Sequence, residues 1–183
     1  SWSRIALEVI PGSAADKALR DAMPKLQGQL RVGVINSIGV RRDPKAVGAL
    51  ASELKAADPE AAGAAAVALG RIGGDEATKA LTSALATAPT GTRSAVAQGC
   101  IRAAERFLAD GKHDKAAKLY ETVRKAEVPK QRILEATRGA ILARQADGIP
   151  RLLETLHSSD KAVFRSGLRT ARELPGRSVT EAL

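Results

Sequence analysis

Aromatic residues are nearly missing from this chain. Trp2, Phe107, Tyr120 and Phe164 are the whole supply in 183 residues. The core must therefore be aliphatic, because apolar residues still make up 44% of the sequence. A single cysteine, Cys100, excludes an internal disulfide and any cysteine-based metal cluster. His113 and His157 are the only histidines, and no H-x-x-x-H or H-E-x-x-H spacing joins them to a metal or catalytic partner. No run of 18 apolar residues reads as a membrane-spanning helix. The start shows neither a leader pattern nor an initiator Met, so Ser1 reads as a processed or internal end and the compartment is not legible.

What remains is Ala, Leu, Val and Ile. Ala and Leu are strong helix formers, and small residues let helices approach closely. The composition predicts an all-α protein with many helix–helix contacts. The formal net charge is +9. It is uneven: residues 1–90 carry 11 Lys+Arg against 9 Asp+Glu, residues 91–183 carry 18 against 11. A basic surface can attract nucleic acid, an anionic membrane or an acidic protein. The plainer account is solvated helix faces on which both signs alternate.

The sequence repeats. A shift of 31 lays residues 34–56 on residues 65–87, with Ile38-Gly39 on Leu69-Gly70, Ala46 on Ala77, Leu50 on Leu81 and Leu54 on Leu85. One step back reaches Leu7, with Ala15, Leu19 and Met23 following in register. One step forward reaches Cys100. Leu152 and Leu156 take the Leu81 and Leu85 positions of the penultimate unit, and Ala171, Leu174, Gly176 and Leu183 continue the series. The last units are offset by 102 rather than 93, which places nine extra residues between Cys100 and Leu152. The expected site is the stretch Ala109-Asp110-Gly111-Lys112-His113, so one longer unit covers about 92–126.

Each period holds two helical stretches. One is expected to follow an Asp or Ser cap after a glycine turn, as at Gly73-Gly74-Asp75 and Gly12-Ser13. The other follows Asp58-Pro59-Glu60, with Asp as cap and Pro in the first helical position; Ser158-Ser159-Asp160 plays a similar part. Gly70, Gly73 and Gly74 recur with the period and read as turns. They lack the strand and the G-K-[ST] of a phosphate loop. Two helices of roughly 11–13 residues fit one unit, each about 16–20 Å long. Such a hairpin is stable only when neighbours cover it.

The pattern A-x-x-A-L-G-x-I-G-G-x-x-A-x-x-x-L-x-x-x-L at residues 65–85 resembles the short HEAT repeat, of the kind found in phycobilisome-lyase-like proteins. About six partial or full copies span residues 1–183. The chain departs from the pattern at Arg41, where an Ile is expected, and in the longer unit, whose DKAAKLYETVRKA locally resembles a tetratricopeptide helix. The Ala-rich phrasing also resembles HEAT segments of large multidomain proteins from planctomycete-type bacteria, a likeness that would place the chain outside the cytoplasm. The resemblance implies a right-handed α-solenoid of antiparallel helix pairs, cut within a repeat at both ends: residues 1–10 as a second helix, residues 177–183 as the start of a first. It also implies that second helices line the concave face.

On those second helices lie Arg102, Arg106, Arg138, Arg165, Arg169 and Arg172, a candidate basic stripe for an acidic partner or a phosphate backbone. Arg31 and Arg93, 62 apart, are expected instead to bridge neighbouring units through Asp or backbone carbonyls. Against nucleic acid stand the missing aromatics and the lack of a base-reading motif. HEAT-type iron hydroxylases use His–Glu pairs on successive repeats, and none occurs here. Cys100 sits in the core slot of Ile38 and Leu69, His113 is expected in the inserted loop next to Asp114, and His157 at the end of a helix. The sequence therefore points to a non-catalytic protein-interaction scaffold without cofactor or metal, its partner another protein or another domain of the same parent chain. The alternatives are a spacer or accessory segment of a larger protein, such as a redox or carbohydrate-active one, and a polyanion-binding surface.

Overall fold

The computed structural model describes residues 2–174, and every regular element in them is helical. The helices are α1 (Trp2–Val9), α2 (Ser13–Ala22), α3 (Gly28–Arg41), α4 (Val47–Glu53), α5 (Pro59–Ile72), α6 (Gly74–Thr87), α7 (Thr90–Ala109), α8 (His113–Arg124), α9 (Lys130–Arg144), α10 (Ile149–Leu156) and α11 (Lys161–Glu173). Short 3-10 turns lead into α4 at Pro44–Ala46 and into α10 at Gln145–Gly148. The expected positions Gly176 and Leu183, and the helix start at 177–183, lie outside the described residues.

Odd-numbered helices pack side by side in one row, and even-numbered helices cover one flank of it. The odd helices from α3 onward start at Gly28, Pro59, Thr90, Lys130 and Lys161, steps of 31, 31, 40 and 31 residues. The period is written in the starts. Asp58 accepts from the Glu60 N–H at 2.9 Å with Pro59 in the first turn, and Asp160 accepts from Ala162 and Val163. Two of the even helices begin differently, while the turn into α4 repeats the Asp-Pro start, with Asp43 accepting from the Lys45 N–H. At Gly12 (φ 98°) and Gly73 (φ 72°) the glycine itself occupies the cap, and neither Ser13 nor Asp75 caps by its side chain. The positive φ explains why glycine is required there.

The extra residues do not form one loop. Helix α7 has 20 residues where α5 has 14, so six of the nine lengthen a helix. His113, expected in a loop, opens α8.

The periodic positions form the core. Ile38, Leu69 and Cys100 are fully buried, as are Ala46, Ala77, Leu50, Leu81 and Leu152. Helix α5 buries Ala61, Ala62, Ala64, Ala65, Ala66, Ala68, Leu69 and Gly70. A helix buried on nearly all sides needs small side chains so that its neighbours can close on it. Gly70 is not a turn residue. It lies within α5, where an added Cβ would collide with the Gly99 carbonyl oxygen of α7. Gly39 does the same between α3 and α5: its Cβ would stand 2.8 Å from the Ala68 Cα. Backbones thus touch along α3–α5–α7. The even row is looser. A groove of about 880 Å³ opens there, between α4 and α6 among Ala51, Leu54, Ala80 and Ala84. Tighter spacing on one row puts the odd helices on the inside of any curve.

Arg41, the departure from the repeat, is a staple between units. Its guanidinium donates to the carbonyls of Leu7 (2.7 Å), Ile10 (2.6 Å) and Gly12 (2.9 Å) and pairs with Asp16. The last carbonyls of α1 have no helical partner, and a cation there also meets the negative end of the helix dipole.

Candidate interaction surface

The face of the odd row turned away from the even helices carries the side chains that the core does not use. On α5 these are Val67 and Arg71, both half-buried, and on α7 Ser94, Gln98 and Arg102. Arg138 on α9 lines one cleft with Arg102, and Arg165 and Arg169 are exposed on α11.

Arg71 and Arg102 are one period apart, and their stems cross the preceding helix at a glycine. Arg71 Cδ lies 3.6 Å from the place of a Gly39 Cβ, and Arg102 Cβ lies 3.0 Å from that of Gly70. Arg106 crosses Gly73 in the same way, its Cγ 2.8 Å from the Cβ position. Neither Arg71 nor Arg102 has a hydrogen-bond or ion-pair partner among the described residues, and the Arg102 Nε is buried without an acceptor.

Between α7 and α9 the row opens into a polar cleft of about 300 Å³, lined by Gln98, Arg102, Glu105, Tyr120, Arg132 and Arg138 among others. Its cause is Tyr120 of α8. The Tyr120 ring occupies the space that a Gly139 side chain would need, so α9 leans on an aromatic ring instead of a backbone. Burial, and then the nearby Glu105, push the Tyr120 phenol up and keep it a neutral donor.

The six expected arginines are not equivalent. Arg138 donates to both oxygens of Glu173; the hydrogen bond holds the Glu173 carboxyl below its usual range and raises the Arg138 guanidinium. Arg106 stands 3.8 Å from Asp110. Arg102 opens onto the cleft. Arg165, Arg169 and Arg172 are exposed on one face of α11 at i, i+4 and i+7, with no partner among the described residues. Arg106 and Arg138 thus have carboxylate neighbours, whereas Arg102, Arg165, Arg169 and Arg172 have no ion-pair partner among the described residues. Arg71 went unnoticed in the sequence, although a step of 31 back from Arg102 reaches it.

Arg31 pairs with Glu53 rather than with an Asp, while Arg93 donates to the carbonyls of Ala88 (3.0 Å) and Glu127 (3.3 Å). His157 Nδ1 lies 2.8 Å from the Leu153 carbonyl at the end of α10. Cys100 is buried, and desolvation pushes its thiol up to about 12, which leaves it inert at neutral pH. Among the described residues no group of three or more His, Cys, Asp or Glu is placed to hold a metal ion, and no helix is long and apolar enough to cross a membrane.

A search of curated proteins returned no match. Residues 17–102 match the family model described as HEAT repeats, a stretch that begins in α2 and ends in α7 at Arg102. With an all-helical array whose starts repeat every 31 residues on either side of one longer unit, this match identifies HEAT repeats in the chain over residues 17–102.

Proposed function

We propose that the chain is a non-catalytic protein-interaction scaffold whose recognition surface is the open face of α5, α7, α9 and α11, and that its partner is acidic. The observation that carries this reading is the set of arginines on that face without partners among the described residues: Arg71, Arg102, Arg165, Arg169 and Arg172. A guanidinium without a carboxylate in its own chain is available to one from outside. HEAT repeats generally act as interaction scaffolds, and a preformed helical surface loses little ordering entropy when it binds. Steering by the basic face would act mainly on the association rate and would weaken with salt.

The test is binding of fluorescently labelled polyglutamate to the purified chain and to the Arg165→Glu/Arg169→Glu variant. Both sites are exposed on α11, so helicity by circular dichroism is expected to be unchanged. Affinity should fall at least about tenfold, since hydrogen bonds to charged groups contribute on the order of 1.5–3 kcal/mol each. Equal affinity of the two proteins would sink the reading.

A further inference from the structure

We propose that the cleft between α7 and α9 is the seat for one acidic side chain of the partner, its carboxylate held by Arg102 with the Tyr120 hydroxyl and the Gln98 amide beside it. The proposal rests on the reading of the open face as a surface for an acidic protein, and it assigns one place on that face to one aspartate or glutamate.

Donors left without acceptors carry the argument. Gln98, Arg102 and Tyr120 all line the cleft. The Arg102 Nε is buried and has no partner. The Gln98 carboxamide is oriented by Arg132, a group that can only donate and does so to the Gln98 carbonyl oxygen at 3.3 Å. Its amide nitrogen has no acceptor among the described residues. The Tyr120 hydroxyl has no hydrogen-bond partner among them either, and the charges that act on it, Glu105 and Arg138, both line the cleft. Burial keeps that phenol protonated, so it presents an O–H. A buried donor without an acceptor is destabilising. A ligand that brings acceptors to these groups relieves it.

The other charges around the cleft define the ligand. Arg132 donates to Glu135 at 2.7 Å, and Arg138 donates to both oxygens of Glu173. Arg102 is half-buried and has no carboxylate of its own among the described residues, while Glu105, one turn further along α7, is exposed to water. A guanidinium presents Nε and one Nη as a planar fork that fits the two oxygens of a carboxylate. Glu105 repels added negative charge, so the seat favours a singly charged carboxylate over a phosphate dianion. The volume of about 300 Å³ admits one side chain with a few waters but no helix. The partner's backbone therefore stays outside and one acidic side chain reaches in.

The test is fluorescence anisotropy of a tetraglutamate peptide with an amidated C-terminus and a carboxylate-free dye on its N-terminus, so that its only carboxylates are side chains. Arg102→Lys keeps the charge and removes the fork. Tyr120→Phe keeps the ring against Gly139 and removes the hydroxyl. Affinity is expected to fall about tenfold for the first and about fivefold for the second, with helicity and the urea midpoint unchanged. A nitrogen-15 NMR signal of the Arg102 Nε–H, assigned by its loss in Arg102→Lys, is expected to shift when the peptide is added to the unaltered chain. That signal reads occupancy without any effect on folding. Full affinity in both variants, or an Nε–H signal unmoved at saturating peptide, overturns the seat. So does displacement of the peptide at lower concentration by inorganic phosphate, or by a tetraglutamine peptide with a free C-terminus, which would assign the cleft to phosphate or to a chain end. If only Arg165→Glu/Arg169→Glu weakens binding, the seat is wrong while the broader proposal stands. If the peptide does not bind at all, both fall.

Discussion

Helices α3, α5 and α7 meet backbone to backbone, whereas α8 and α9 meet through a ring. In the first region Gly39, Gly70 and Gly99 have no room for a Cβ because main-chain atoms of a neighbouring helix stand there. In the second, Gly139 has no room because the Tyr120 side chain fills it. The buried side chains follow suit: one continuous cluster runs from Leu19 to Ala143, and a small separate one gathers Ile141, Leu152 and Leu174. Arg20, Arg31 and Arg41 are all paired in the N-terminal part, whereas Arg165, Arg169 and Arg172 on α11 have no partner among the described residues. A main-chain contact leaves no side-chain freedom and seals the interface. A ring contact leaves a cleft beside it, where polar groups collect.

The sharpest way to break the comparison is to add one methyl group in each region. Gly70→Ala should cost about 3 kcal/mol, because the obstructing atom is a carbonyl oxygen that cannot move without shifting α7. Gly139→Ala should also destabilise, but here the obstruction is removable. Tyr120→Leu is expected to cost less in the Gly139→Ala background than alone, a coupling that urea denaturation of the four proteins would read. Additive costs would show that the ring does not set the α8–α9 spacing. No side-chain substitution on α7 should rescue Gly70→Ala.

Arg41 gives the next effect. Arg41→Met keeps the stem and removes the cation, leaving the carbonyls of Leu7, Ile10 and Gly12 and the Asp16 carboxylate without it. The expected loss is about 2 kcal/mol, and hydrogen exchange should rise in α1 before it rises in α5. Uniform exchange across both helices would argue that Arg41 stabilises the whole array rather than its first hairpin.

The smallest effect is a pH dependence in the second region. Burial opposes ionisation of Glu121, but hydrogen bonds from Arg144 and Arg124 outweigh it and leave the pKa below the ordinary 4.5. A depressed carboxylate stabilises the folded state above its unfolded value and loses that contribution as pH falls through the folded one. Thermal stability should therefore hold at and above pH 4.5 and decline below it, and Glu121→Gln should flatten the decline. An unchanged acid limb would assign the decline to other carboxylates.

Much of the fold was legible because buried apolar positions recur: Ile38, Leu69 and Cys100 each occupy the same slot, and Asp58-Pro59 marks a helix start without any tertiary context. The glycines were legible only in part. Gly73 and Gly74 are turn residues with positive φ, but Gly70 carries the same letter for a different reason, a neighbouring backbone that no local pattern reveals. The candidate surface divides in the same way. The arginines on α7, α9 and α11 could be counted along the chain. Which of them are paired could not, because Glu173 meets Arg138 from 35 residues away.

The sequence by itself determined the helix class, the period and the side chains that must be buried, since each follows from local propensity and from spacing. Tertiary structure alone decided how closely the helices approach, where a ring replaces a backbone contact, and which arginines keep their charge uncompensated. Those depend on atoms brought together from distant parts of the chain, and contact at a distance leaves no periodic signature in the residues that make it.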